Sequence, residues 1–138
     1  MRDSCRPLFC LVVEDDPRTG LDLADALEAA GCAVAGPFRS GRDAARWLER
    51  FTPDVAVVDP ALADGLCPAL LATLRARGIR VVMHSGDPRT GSPVPARAGE
   101  TCVGKPTPAA AIVAAVHALS RSTREDGSVG ALAATQQE

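Results

Sequence analysis

The stretch Leu8-Phe9-Cys10-Leu11-Val12-Val13-Glu14-Asp15-Asp16 decides how this chain is read. Six apolar residues without polar alternation predict a strand buried on both faces, because a strand with one wet face would alternate. The run breaks off into three acids, so its C-terminal end meets solvent or a cation. Asp16-Pro17 then reads as a helix N-cap followed by proline at the first helical position, where a missing N–H is harmless. Leu23, Ala24, Leu27 and Ala30 recur at helical spacing as far as Gly31, a stop signal.

The same unit repeats along the chain. A short strand is expected at Ala33 to Ala35, then a helix capped by Ser40 with Asp43 three residues on, running through Trp47 and Leu48 to the break at Pro53. Val55 to Val58 is a second all-apolar strand ending in an acid, Asp59, which Pro60 turns out of regular structure. A helix from about Leu66 to Arg77 stops at Gly78, and Ile79 to Met83 forms a fourth strand running into Ser85-Gly86-Asp87. Gly86 to Glu100 holds three Gly and three Pro in 15 residues, so at most one helical turn is expected there. Cys102 and Val103 form a fifth strand and Gly104-Lys105-Pro106 a turn. Thr107-Pro108 opens a last helix with Ile112, Ala115, Val116 and Leu119 on one face.

Alternating apolar strands and helices predict a parallel sheet covered on both faces, with right-handed crossovers. Composition agrees with one domain: 138 residues at 46% hydrophobic and 23% charged suffice for a single core, assigned to residues 1–120, with a disordered tail over 121–138. A net charge of −2 lacks the basic field that draws proteins onto nucleic acid or anionic lipid, so neither is expected as a partner. No apolar run approaches the roughly 18 residues of a membrane span and the N-terminus does not resemble a signal peptide, so a cytoplasmic location is expected. Cys5, Cys10, Cys32, Cys67 and Cys102 are an odd set without ligand spacing and are read as independent thiols. His84 and His117 are read as structural or surface residues for the same reason.

In a doubly wound sheet, functional groups collect at the carboxyl ends of the strands. Here those ends carry Glu14, Asp15 and Asp16, then Asp59, Ser85 and Lys105. Asp16 is read as a cap, not a ligand. Converging carboxylates repel, and a hard divalent cation is the simplest remedy; magnesium suits oxygen donors and bridges them to phosphoryl groups. Asp59 then serves as nucleophile toward phosphorus, Ser85 offers a hydroxyl, and Lys105, the one lysine among 15 cations, offers a compact ammonium. Turn residues alone have no reason to assort in this order.

Leu11-Val12-Val13-Glu14-Asp15-Asp16, Asp54-Val55-Ala56-Val57-Val58-Asp59, Val82-Met83-His84-Ser85-Gly86 and Val103-Gly104-Lys105-Pro106 together resemble the receiver domains of bacterial two-component response regulators, over about residues 8 to 119. The resemblance implies a flavodoxin-like (βα)5 fold with strand order 2-1-3-4-5 and, here, a reduced or missing fourth helix. It implies that Asp59 is the phosphoacceptor, that Glu14, Asp15, Asp59 and the Ala61 carbonyl hold Mg2+, that Ser85 is the switch hydroxyl and Lys105 the phosphoryl-binding lysine, and that the Lys105-Pro106 peptide is cis. The Gly78 to Gly86 stretch and the Pro68-Ala69-Leu70 helix start look like the stand-alone receivers with a Phe-Ala-Thr-Gly-Gly/Tyr signature, although Met83-His84-Ser85-Gly86-Asp87 replaces that signature. Cys102 stands where many receivers place an inward-swinging Tyr or Phe.

The expected function is therefore a single-domain response regulator. It takes a phosphoryl group from a histidine kinase or histidine phosphotransferase, signals to a downstream protein target, and is not itself an enzyme. The alternative is a receiver-like docking module independent of phosphorylation. A metal-dependent phosphatase would need a second acid two residues after Asp59, where Ala61 stands, and a dinucleotide would be repelled by Glu14-Asp15-Asp16.

Overall fold

A computed structural model describes residues 6–85, 100–105 and 107–120. The elements run β1 (Phe9–Val13), α1 (Pro17–Ala29), β2 (Ala33–Phe38), α2 (Gly41–Leu48), β3 (Val55–Val58), α3 (Cys67–Ala76), β4 (Arg80–Ser85) and β5 (Thr101–Gly104). A further helix, α4, covers 109–120. The five strands are parallel in the order β2-β1-β3-β4-β5, the order the resemblance implied. The expectations for the 86–99 segment, including its reduced helix, for the Lys105-Pro106 peptide and for the 121–138 tail fall outside the described residues.

Each strand divides its side chains between two cores because successive residues point to opposite faces. Leu11, Val13, Ala56, Val58, Val81 and Met83 meet Leu48 of α2 and Leu70, Leu71 and Leu74 of α3 on one face. Cys10, Val12, Val55, Val57 and Val82 meet Leu23 and Leu27 of α1 and Ile112, Val116 and Leu119 of α4 on the other. The chain's four aromatics gather on the first face, with Trp47 against Phe9 (5.5 Å), Phe38 (6.0 Å) and Phe51 (5.2 Å between centroids). Among the described cysteines all four are free, with Cys10, Cys32 and Cys67 buried and Cys102 exposed on the edge strand β5.

Three local differences from the sequence reading have physical causes. β2 runs through Gly36-Pro37 to Phe38 instead of stopping at Ala35. Gly36 takes φ +98° before a cis proline, the register shifts, and pairing resumes with the Glu14 N–H donating to the Phe38 carbonyl at 2.8 Å. β4 continues two residues past Met83, which places His84 and Ser85 on the strand. The Thr107 hydroxyl donates back to the Gly104 carbonyl, tying the β5 exit instead of capping α4. The Ser40 and Asp16 caps form as expected, on the Asp43 and Arg18 amides, each at 3.1 Å.

Gly20, inside α1, faces the Pro37 ring. A Cβ there would lie 2.9 Å from Pro37 Cβ and 3.1 Å from its Cγ. Gly to Ala in a helix interior ordinarily stabilises by about 1 kcal/mol, but two rigid backbone-anchored groups cannot both hold their places here. We expect Gly20→Ala to destabilise by about 1–2 kcal/mol, measured by urea unfolding. A stabilised variant would show that β2 yields at Pro37.

Candidate functional site

The sheet register builds the site. Val13 pairs with Val58 and Val58 with Met83, so the next residues, Glu14, Asp59 and His84, stand in one transverse row across three neighbouring strands. Ser85 pairs with Gly104, which brings Lys105 up beside them, its amide donating to the Ser85 carbonyl at 2.6 Å. Glu14, Asp59, His84 and Ser85 are all buried.

Glu14, Asp15 and Asp59 each place a carboxylate oxygen within 4.8 Å of the others. Lys105 Nζ lies 3.0 Å from Glu14 Oε1 and 3.1 Å from its Oε2, and donates to Asp59 Oδ2 at 3.2 Å. The rest of the cluster is held by main-chain donors. Asp59 Oδ1 accepts from the Ala61 N–H at 2.9 Å, Glu14 Oε2 from Asp16 N–H at 3.2 Å, and Asp15 Oδ2 from Ala63 N–H at 3.1 Å. Thus Ala61 is engaged through its amide, and Asp15 steadies the loop after Asp59. Asp16 spends its carboxylate on α1, accepting from Arg18 N–H and the Thr19 hydroxyl.

Electrostatics follow from crowding. Burial pushes Glu14 up to about 7, with Asp59 adding to the effect and Lys105 and the Asp16 amide opposing it. Burial alone would lower Lys105, but its carboxylate partners, Glu14 first, raise it above the usual lysine value. Three carboxylate oxygen donors gathered this closely form a set that suits a hard divalent cation such as Mg2+.

Sequence reasoning brought Glu14, Asp15, Asp59, Ser85 and Lys105 to one edge, and the structure gathers all five there. His84, read as a structural or surface residue, is buried in the same row. Its Nδ1 lies 3.9 Å from Glu14 Oε1, and neither ring nitrogen has a hydrogen-bond partner. Burial, then Lys105, keeps its proton affinity below that of a free imidazole. The signal was the period of two: counting back from Ser85, His84 shares a face with Val82 and a row with Asp59.

No protein-family model matches the chain, and no curated protein matches it. Solved structures do. A response regulator receiver domain from Methylobacillus flagellatus superposes with a TM-score of 0.69 at 22% identity, over 83% of this chain and 99% of that one. A response regulator receiver protein from Burkholderia phymatum gives 0.71 at 22%, over 83% and 94%. SdrG from Sphingomonas melonis gives 0.68 at 26%, over 82% and 96%. The fold is the receiver fold, and no helix among the described residues is long and apolar enough to cross a membrane.

Proposed function

We propose that this chain is a response regulator receiver that accepts a phosphoryl group on Asp59 from a phosphohistidine of a kinase or phosphotransferase and signals by protein contact, with no catalytic turnover of its own. The observation that carries the reading is Lys105 Nζ set between Glu14 and Asp59, at 3.0 and 3.2 Å, on an edge that also holds Asp15 and Ser85. A structural ion pair needs one carboxylate; a phosphoryl site needs a nucleophilic carboxylate, a cation position and a compact ammonium together.

In transfer, an Asp59 carboxylate oxygen forms the new P–O bond as the donor's P–N bond breaks, and the leaving imidazole takes up a proton. The Ala61 amide holds Oδ1 and so fixes which way the carboxylate presents itself. Lys105, drawn from Glu14, answers the charge growing on the phosphoryl oxygens, and the Ser85 hydroxyl stands on the neighbouring strand end. Bound Mg2+ supplies charge neutralisation for the incoming anion. The Phe-Ala-Thr-Gly-Gly/Tyr-like character and the cytoplasmic site of action belong to the same proposal.

Cys102, exposed on β5 where an aromatic switch residue would stand, favours one second reading: docking without phosphorylation. Intact mass after incubation with acetyl phosphate and Mg2+ separates the two. We expect one added phosphoryl group, absent from Asp59→Asn. No modification from any phosphodonor would leave the docking module.

A further inference from the structure

Charge on this chain is segregated by helix. Residues 16–31 carry four acids to one arginine, whereas residues 39–50 carry four arginines to two acids. On α1, Gly20 lies against Pro37 of the edge strand β2, and Thr19, Asp22 and Leu23 line a cavity toward Lys105 and Ala109 on the opposite flank. Leu21, Asp25 and Glu28, at i, i+4 and i+7, therefore form an exposed ridge on the β2 side of the helix. On α2, Trp47 meets Phe38 of β2 and Phe51 stacks on Trp47, which fixes the flank turned to the same edge. Arg42, Arg46 and Arg50, four residues apart, run beside that flank and are all exposed. Leu21 and Phe51 are the most exposed large apolar side chains among the described residues, at 56% and 49%. Among those residues the Asp25, Glu28, Arg42, Arg46 and Arg50 side chains have no ion pair or hydrogen bond.

We propose that the β2 edge is a dimer interface, at which the acidic ridge of α1 seats against the arginine ridge of α2 in a second copy of this chain. The two helices cover opposite faces of the sheet, and β2 ends it. A two-fold axis along the strands exchanges those faces, so α1 of each protomer comes beside α2 of its partner in two equivalent contacts. A two-fold axis normal to the sheet would instead set α1 on α1 and α2 on α2, acid against acid and arginine against arginine. Charge thus selects the first. Both helices start after the carboxyl ends of their strands and run the same way. At about 1.5 Å per residue, Asp25 lies about 12 Å down α1, between the levels of Arg46 at about 8 Å and Arg50 at about 14 Å on α2. Exposed ion pairs are individually weak, and Leu21 and Phe51, one beside each ridge, add the apolar surface that such a contact needs. The dimer also covers the outer backbone edge of β2, which pairs with no described strand.

Sedimentation equilibrium on the full chain tests this. Wild-type protein should form a dimer whose dissociation constant rises at least about tenfold from low to high salt. A dimer indifferent to salt overturns the proposal, and so does a monomer under both conditions, which would leave the arginine ridge to an acidic segment of another protein. Asp25→Arg and Arg46→Glu should each weaken self-association at least about tenfold, because each sets like charges together in both contacts. Mixed in equal amounts, the two variants should pair to within about threefold of wild type, since both contacts of the mixed dimer are complementary again. A mixture that stays monomeric denies the contact, and assembly beyond the dimer denies the two-fold axis; either result overturns the proposal. Neither position belongs to the Glu14, Asp59 and Lys105 cluster, so phosphorylation by acetyl phosphate should be the same in wild type and both variants. The interface and the function proposed above therefore stand or fall separately.

Discussion

Lys105→Met is expected to lower stability by about 3 kcal/mol at pH 9 in chelator, to cost less than about 1 kcal/mol at pH 6, and to recover most of the loss when Mg2+ is added. The substitution keeps the length of the side chain and removes its charge. Glu14 and Asp59, buried and joined through the ammonium at 3.0 and 3.2 Å, are then left as two like charges in one pocket. Breaking a buried pair from one side is costly because the remaining charge has neither water nor partner. The cost has a ceiling, however, since the site can take up a proton. Glu14 already titrates near 7 with Lys105 beside it, so without the ammonium it stays protonated to higher pH. The penalty must therefore grow as pH rises and shrink when another cation replaces the ammonium. Urea unfolding at the two pH values, with and without Mg2+, measures all of this, and a loss independent of both pH and Mg2+ would mean that Lys105 acts through packing alone.

How far the site was legible in the sequence depends on the kind of residue. The two all-apolar strands ending in acids announce their own positions, because a doubly buried strand has no polar alternation and its first polar residue marks the sheet edge. Glu14, Asp15 and Asp59 were therefore readable, as was Lys105 after the short Cys102-Val103 run. Element ends were less so. The strand expected over Ala33 to Ala35 runs on through Gly36-Pro37 to Phe38, because register and not local propensity decides whether an edge strand resumes. The Ala61 and Ala63 amides that hold Asp59 and Asp15 carry no side-chain signal at all. His84 was lost for a different reason. Spacing was sought along the chain, whereas its place in the row with Glu14 and Asp59 follows from the register across β1, β3 and β4.

Glu14→Gln is expected to change stability in the opposite direction, and the pH dependence fixes the sign. The Glu14 carboxyl is raised by burial from 4.5 in the unfolded chain to about 7 in the fold. A group raised on folding contributes stability fully below its unfolded value and loses it as pH climbs through the folded one. Wild-type protein in chelator should therefore shed up to roughly 3 kcal/mol between pH 4.5 and 8 on account of this side chain. Glutamine, always neutral, has no such loss. The variant should match wild type near pH 4.5 and exceed it by a few kcal/mol at pH 8, although its Mg2+ affinity falls with the missing ligand charge. In the same background Lys105→Met should do less harm, because only Asp59 is left unpaired. We expect a coupling of about 1–2 kcal/mol between the two positions in a double-mutant cycle at pH 8. Additive effects there would mean that Lys105 answers to Asp59 alone, and a Glu14→Gln profile parallel to wild type across the pH range would mean that the Glu14 carboxyl ionises in the fold as it does in the unfolded chain.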